Sequence, residues 1–349
     1  MLQREIPVEG WRKVVRFDDE ATGLAAIIAV HDATLGPACG GCRVRPYPTE
    51  AAALDDVLRL SRGMTFKNAL GDIPFGGGKA VIIADPARDK TDDLMRAFGR
   101  AVDALGGLYY TAEDSGVTEH DLEVIRTETK YAAGVASKGV GGNPSPFTAR
   151  GVFRGIEAAA RARLERSDLD GLHVAIQGVG AVGMALAEHL YDAGARLTVG
   201  DVNAKAVAEA QDRFGAAAVA PEDCIAVAAD VYSPCALGGA INADSITRLK
   251  ASIVAGAANN QLLTPAMDGA LMSRGVLYAP DYVINAAGVI SVGLEILGTW
   301  TAADLNRRID AIGPRLEAIF ERSHREGRPT GAIADEMALE IIARGRAAA

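Results

Sequence analysis

Two lysines and one aspartate stand out by residue type and setting. Lys67 lies in Gly63-Met64-Thr65-Phe66-Lys67-Asn68, Lys79 closes the run Gly76-Gly77-Gly78-Lys79, and Asp114 sits in Ala112-Glu113-Asp114-Ser115-Gly116. Downstream comes Gly178-Val179-Gly180-Ala181-Val182-Gly183, which has the spacing of a dinucleotide fingerprint. An ammonium can hold a carboxylate, and a partly buried amine or carboxylate can take up and release protons. The combination predicts that one part of the chain binds a substrate carboxylate and moves protons. The other part is expected to bring a nicotinamide to it.

The elements that must position these groups can be read from periodicity. Residues 14–17 and 24–31 read as strands joined by a turn over 18–23. Pro48-Thr49-Glu50 opens a helix whose apolar residues Leu54, Val57, Leu58 and Met64 recur at helical spacing, with Lys67 near its end. Residues 74–78 read as a turn, 80–84 as a buried strand, 92–105 as a helix and 108–112 as a strand. Lys79 and Asp114 are thus both expected at strand edges. The run 139–146, Gly-Val-Gly-Gly-Asn-Pro-Ser-Pro, is the sharpest boundary signal and reads as a hinge before a helix over 148–164. Strands at 173–177, 196–200, 217–219, 231–232 and 253–255 follow, the first three interleaved with helices at 180–193 and 204–214. Such alternation predicts a parallel, doubly wound sheet. From residue 302 the chain is charged and helical.

The fingerprint is set in a complete context. An apolar strand precedes it, a proline-free helix follows, and the acidic Asp201 ends the next strand. Gly178 permits the tight turn, Gly180 lets backbone approach a pyrophosphate, and Gly183 lets helix and strand pack closely. The helix start offers free N–H groups to phosphate. Asp201 can accept hydrogen bonds from both ribose hydroxyls and would repel a 2′-phosphate. Val202 and Asn203 supply no arginine to welcome one, so NAD is expected over NADP. The bland alternative is a Rossmann sheet kept for packing alone.

Bulk properties exclude several classes. At 349 residues about two domains are expected. The net charge of −9 leaves no surplus of cations for a nucleic-acid backbone. No apolar run reaches the ~18–20 residues of a membrane span, and the first residues lack a secretory leader, so a cytoplasmic protein is expected. Cys39-Gly40-Gly41-Cys42 is formally a CxxC, but no second ligand pair accompanies it, so a reduced, packed pair is expected and no metal.

Singly, the three ionisable residues are ambiguous. Gly76-Gly77-Gly78-Lys79 is not a phosphate loop, because that motif requires glycine where Ile73 stands and Ser or Thr where Ala80 stands. Lys79 between a glycine run and an apolar strand is placed for partial burial, which disfavours an ammonium and suits a general base. It could equally be a solvated charge. Lys67 could be an exposed helix-end cation, and Asp114 an ordinary helix N-cap.

These motifs, with Gly40-Gly41-Cys42-Arg43, Asn143-Pro144-Ser145-Pro146, Pro234-Cys235-Ala236-Leu237-Gly238-Gly239, Gly256-Ala257-Ala258-Asn259-Asn260-Gln261 and Tyr278-Ala279-Pro280-Asp281-Tyr282-Val283-Ile284-Asn285, resemble the amino acid dehydrogenase superfamily. The leucine, valine and phenylalanine branch is the most similar, over residues 16–295. The resemblance implies an α/β chain. An N-terminal substrate and oligomerisation domain over 1–140, joined by C-terminal helices over 311–349, would flank an active-site cleft with an NAD-binding Rossmann domain over 141–310. It implies a homo-oligomer and the reaction L-amino acid + NAD⁺ + water to 2-oxo acid, ammonia and NADH. Lys67 would bind the carboxylate beside Gly40 and Gly41. Lys79 would activate water against the imino acid, Asp114 would shuttle protons, and Asn259 would hold the substrate. Arg43, Ser115, Thr148, Cys235, Ala236, Leu237, Ala258 and Asn260 would adjoin NAD, with Val179, Ala181, Val182 and Val202 of the dinucleotide fold.

The resemblance also places Cys39, Ala112, Val289 and Val292 around the substrate side chain. Glutamate dehydrogenases carry a Lys where Cys39 stands and a Ser near Val292. An apolar pocket leaves a second carboxylate unpaired, at high cost. The expectation is therefore a leucine- or valine-type substrate. Phenylalanine is the alternative, because Cys39 is smaller than the leucine usual there and Cys42 replaces a threonine. Ala287 replaces a glycine common at that turn and adds a methyl near the pocket. A non-catalytic NAD-binding scaffold is the rival class; it predicts decay of Lys67, Lys79 and Asp114, all of which are present.

Overall fold

The computed structural model describes residues 1–135 and 143–348. Chain contacts divide it into two units, one of residues 1–142, 289–301 and 338–349, the other of residues 143–288 and 302–337. The first carries strands β1 (Leu2–Glu5), β2 (Lys13–Asp19), β3 (Leu24–Asp32), β4 (Ala38–Cys39), β5 (Cys42–Arg45), β6 (Gly76–Ile83) and β7 (Tyr109–Tyr110). Its helices are α1 (Glu50–Leu70), α2 (Asp92–Asp103) and α3 (Glu119–Arg126). The sheet is mixed: β1, β2, β3 and β6 are antiparallel neighbours, while β4 and β5 both run parallel to β6, and β4 to β7.

Period-two alternation divides this sheet between two cores. Val15, Phe17, Ala26, Ile28, Ala80 and Ile82 point to the α2–α3 side, with Phe98, Leu122 and Ile125. Val14, Ile27, Ala29 and Val81 point to the other side, against Ala53 and Val57 of α1. Full burial of side chains such as Phe17 or Ile27 stabilises by about 1.5–3 kcal/mol each. Lys79 shares the parity of Val81, so the strand directs it to the face that α1 covers.

The second unit begins with α4 (Ser145–Leu164) and builds a six-stranded sheet from β8 (His173–Gln177), β9 (Arg196–Gly200), β10 (Ala217–Ala218), β11 (Val231–Pro234), β12 (Ile253–Val254) and β13 (Leu277–Tyr278). All neighbours are parallel, in the order β10-β9-β8-β11-β12-β13. Helices α5 (Ala181–Asp192), α6 (Ala204–Phe214), α7 (Ser245–Arg248) and α8 (Ala266–Ser273) lie between them, and α9 (Asp281–Ile284) follows β13. The chain then continues through α10 (Ala287–Ile296), α11 (Ala302–Asp310), α12 (Ile312–Glu326) and α13 (Thr330–Ala348). The doubly wound expectation holds.

Four readings need correction or limitation. Residues 76–78 are strand, not turn, so Lys79 stands inside β6 and not at its edge. Glycine is required there by crowding: a Cβ on Gly76 would lie 2.0 Å from the Asp32 carbonyl oxygen, and one on Gly77 would lie 2.1 Å from the Thr65 nitrogen. Asp114 is no N-cap; Thr118 caps α3, in a reciprocal capping box with Asp121. Residues 302–337, assigned from sequence partly to the first domain, group with the second unit. The cause is α4, whose Gly151 and Gly155 admit Ile312 and Leu316 closely, and whose Arg150 pairs with Asp310 at 2.9 Å. Of the expected hinge, residues 139–142 lie outside the described residues.

Candidate active site

In the first unit Lys79 Nζ lies 2.7 Å from Asp114 Oδ2, with the two side chains 9% and 19% exposed. The approach is a close ion pair that lies off the line of a well-directed hydrogen bond. Arg43 Nε stands 3.4 Å from the same oxygen, and Arg43 Nη1 is 3.0 Å from Asp56 of α1. Tyr47 donates to Asp56 at 2.7 Å. Burial by itself would raise the Asp114 pKa, but the Lys79 ammonium and Arg43 guanidinium overcome it and hold the carboxyl below its ordinary value. Asp114 is therefore an anion throughout the neutral range.

Backbone register explains how these groups meet. Both Ala38↔Gly76 and Cys42↔Ala80 follow one parallel offset along β6, so the intervening Gly40-Gly41 runs beside Gly78-Lys79. A Cβ on Gly41 would lie 2.9 Å from Asp114 Cβ and 2.4 Å from the Glu113 carbonyl oxygen. A Cβ on Gly40 would meet the Gly78 carbonyl oxygen at 2.0 Å and Met64 Cγ at 3.0 Å. Lys67 follows Met64 by three residues and so shares its side of α1. The last turn of α1 is pinned by Asn68, fully buried, whose Nδ2 donates to the Gly76 carbonyl at 2.6 Å and the Cys39 carbonyl at 3.2 Å. Lys79, Asp114 and the Gly40-Gly41 backbone thus belong to one neighbourhood, and Lys67 is on the side of α1 whose Met64 faces Gly40.

Cys39 is fully buried in β4, and Ala112 nearly so. Burial pushes the Cys39 thiol up to about 12 and holds the Cys42 thiol well above its ordinary value. Both cysteines are free, as a packed reduced pair should be. Val289 and Val292 are half-buried, one turn apart on α10. On the same helix Glu295 accepts from the Gly134 N–H at 2.9 Å. A separate cavity of about 980 Å³, lined by Trp11, His31, Asp32 and Arg346, includes neither Lys79 nor Asp114.

The second unit contains a cradle suited to a dinucleotide. Gly178 has φ +98, and a Cβ there would stand 2.8 Å from the Ala236 nitrogen. Gly183 would place one 2.0 Å from the Gly178 carbonyl oxygen, whereas a Cβ on Gly180 would meet nothing within 4 Å. Space is left where a pyrophosphate would approach and nowhere else in the motif. Gly180 caps α5 without a side-chain bond, so the first-turn N–H groups of Ala181 and Val182 lack a side-chain cap. Asp201 is aimed by two backbone donors, Val179 N–H to Oδ2 and Asn203 N–H to Oδ1, each 2.8 Å. Val202 and Leu237 are 93% and 84% exposed, apolar surfaces flanking this mouth. Cys235 and Ala236 follow β11, the Ala258 N–H donates to Pro234 at 2.9 Å, and Asn259 and Asn260 are exposed. Thr148 lies in the first turn of α4 and Ser115 is exposed on the first unit.

Sequence reading missed Asp56, Tyr47, Asn68, Gln261 and Asn285, which orient the groups it found. Buried carboxamides inside apolar motifs were the available signal. Among the described residues no cluster of three His, Cys, Asp or Glu side chains could hold a metal, and no helix is long and apolar enough to cross a membrane.

Residues 11–131 match the family described as Glu/Leu/Phe/Val dehydrogenase, dimerisation domain, and residues 201–343 match Glutamate/Leucine/Phenylalanine/Valine dehydrogenase. The chain is 48% identical to leucine dehydrogenase of Bacillus subtilis, covering 96% of this chain and 92% of that one. It is 47% identical to an L-tryptophan dehydrogenase of Nostoc punctiforme, covering 95% and 94%. Valine dehydrogenase of Streptomyces virginiae is 43% identical over 97% and 95%. The crystal structure of the Nostoc punctiforme L-tryptophan dehydrogenase superposes with a TM-score of 0.85 at 43% identity, covering 97% of each chain. The hetero-hexameric glutamate dehydrogenase of Thermus thermophilus reaches 0.77 at 24% identity over 99% and 88%, a likeness of fold. Tryptophan is a substrate that the sequence reading did not weigh.

Proposed function

The chain belongs to the Glu/Leu/Phe/Val dehydrogenase family, and we propose that it oxidatively deaminates an apolar L-amino acid with NAD⁺. It is an oxidoreductase acting on the amino acid CH–NH2 group and dependent on a pyridine nucleotide. The observation that carries the finer reading is the buried Lys79–Asp114 pair at 2.7 Å. A base and an acid in contact, shielded from water, are what proton traffic at a substrate nitrogen requires.

Lys67 holds the substrate carboxylate, with the Gly40-Gly41 backbone beside it. The substrate ammonium must lose a proton before Cα can give up hydride, because the nitrogen lone pair stabilises the developing cation. Asp114, anionic at neutral pH, accepts that proton. When bound, the nicotinamide supplies the hydride acceptor. Lys79, once its own proton has passed to solvent, takes a proton from the water that adds to the resulting iminium carbon; Asp114 then returns its proton to the nitrogen, and the carbinol hydroxyl proton leaves with that nitrogen as the carbonyl forms. The sum is zwitterionic amino acid, NAD⁺ and water to 2-oxo acid anion, ammonium, NADH and a proton. Gly178, Gly180, Gly183, Ala181 and Val182 would hold the pyrophosphate, and Asp201 the ribose hydroxyls. Val202, Cys235, Ala236, Leu237, Ala258 and Asn260 would line the remaining cofactor surface, joined by Arg43, Ser115 and Thr148. The preset Asp201 carboxylate would repel a 2′-phosphate, which favours NAD.

The side-chain residues Cys39, Ala112, Val289 and Val292 include no cation to pair a second carboxylate, so glutamate is disfavoured. Ala112, Val289 and Val292 suit leucine or valine. The small Cys39 side chain favours an aromatic substrate as the second reading. Steady-state NADH formation with leucine, valine, phenylalanine and glutamate, each with NAD⁺ and NADP⁺, tests both points. Leucine or valine with NAD⁺ is expected to give the highest kcat/KM; preferred turnover of glutamate overturns the pocket assignment.

The protein is further proposed to be a homo-oligomer. Support comes from the dimerisation-domain match and from β1, wholly exposed at the sheet edge with Leu2 72% exposed. Light scattering is expected to return a multiple of 36.3 kDa.

A further inference from the structure

The loop 256–261 is shaped from within by two carboxamides. Gln261, fully buried, donates from Nε2 to the Gly256 carbonyl at 2.7 Å and the Ala258 carbonyl at 3.1 Å. Asn285, 3% exposed at the end of α9, donates from Nδ2 to the Ala257 carbonyl at 3.0 Å. Three successive carbonyls are thus turned inward and satisfied. The same Asn285 Nδ2 stands 2.9 Å from Asn259 Oδ1.

That last contact has a direction. A backbone carbonyl can only accept, so the Asn285 atom facing Ala257 must be its NH2 group. One of its hydrogens serves Ala257 and the other is left for Asn259, which must therefore turn its oxygen inward. Asn259 itself is exposed, and its Nδ2 group remains to donate outward. We infer that Asn285 is a positioning residue that fixes the amide of Asn259 so that it presents N–H donors, and not an acceptor, to the substrate. A donor complements the carboxylate of an amino acid and not its ammonium. The inference rests on the reading that Asn259 holds the substrate, and it adds the group held and the residue that decides it.

Asn285→Asp tests this at nearly constant shape. The carboxylate lacks the N–H pair, opposes the Ala257 carbonyl, and accepts from Asn259 Nδ2, turning the Asn259 oxygen outward. The KM for the amino acid is expected to rise about tenfold or more, with the NADH Kd near wild type and a lower Tm, since a buried hydrogen bond is lost. A role only in stability would not depend on Asn259. In an Asn259→Ala background the same substitution should therefore change KM by less than about twofold. Equal factors in both backgrounds, or a wild-type KM for Asn285→Asp, overturn the inference alone. A neutral Asn259→Ala overturns the substrate reading of Asn259 as well. Should Asn285→Asp fail to fold, Asn259→Asp at the exposed position gives the answer: it keeps an inward acceptor but loses the outward donor. Its KM should rise at least as far as that of Asn259→Ala, and a wild-type KM overturns the inference.

Discussion

Lys79 and Asp114 differ in how loss of each should be felt. Lys79 is nearly enclosed and its ammonium contacts a carboxylate, while the dinucleotide site proposed above is built on other residues. Lys79→Ala is therefore expected to lower kcat by about 10²–10⁴-fold, the usual worth of a positioned acid or base, while NADH binding followed by fluorescence stays near wild type. Parallel loss of both would assign the lysine to structure. Asp114 also makes a claim about pH. Its folded pKa is depressed: burial works against the anion, but Lys79 and Arg43 outweigh it. The stabilisation from its carboxylate is then complete above the unfolded value of about 3.9 and fades as pH falls through the lower folded value. The urea-midpoint deficit of Asp114→Asn should accordingly shrink below about pH 4; a deficit constant into acid would contradict the pairing.

Glycines make the sharpest contrasts at the level of elements. In β6 they act as gaps in a crowded sheet, admitting Asp32, Thr65 and Tyr109 against the strand that carries Lys79. In the turn between β8 and α5 the three motif glycines have unequal tasks. Gly183 faces the Gly178 carbonyl at a distance no Cβ tolerates, while Gly180 faces open space in an extended backbone conformation. Gly183→Ala should destabilise by about 1–3 kcal/mol through overpacking. Gly180→Ala should leave Tm unchanged yet weaken NADH binding at least several-fold. Calorimetry with a binding titration separates the two, and a cost in Tm for Gly180→Ala would show that its glycine serves the fold.

Over the whole molecule, the chain leaves the second unit for the last time within α13. Residues 338–347 group with the first unit, where Ala338 and Ile342 are buried and Leu35 lies against Gly345. The terminus also brings Arg346 to Asp32 at 2.9 Å, with Arg346 68% exposed. So exposed an ion pair is worth at most about 1 kcal/mol, whereas burying one isoleucine contributes about 1.5–3 kcal/mol. Removal of residues 338–349 should lower Tm by several degrees, and Arg346→Ala should barely move it. Equal shifts would mean that charge, not apolar burial, anchors the end of the chain.

The glycine turn after β8 was legible because it is local. Gly178, Gly180, Gly183 and Asp201 sit on consecutive elements, so spacing alone specifies their geometry, and the strands and helices from 173 to 214 lie where periodicity puts them. Lys79 and Asp114 were legible only as residue types. That Lys79 sits inside a strand, in contact with Asp114 across 35 positions, depends on β4 and β5 pairing in one register along β6. A glycine run reads as a turn until the side chains pressing on it are known. Likewise no periodicity signals that Asp56 holds Arg43, or that Asn285 turns the amide of Asn259. Those contacts join segments remote in sequence, and their geometry follows from packing. Local chemistry determined what these residues could do, and tertiary packing decided which of them meet.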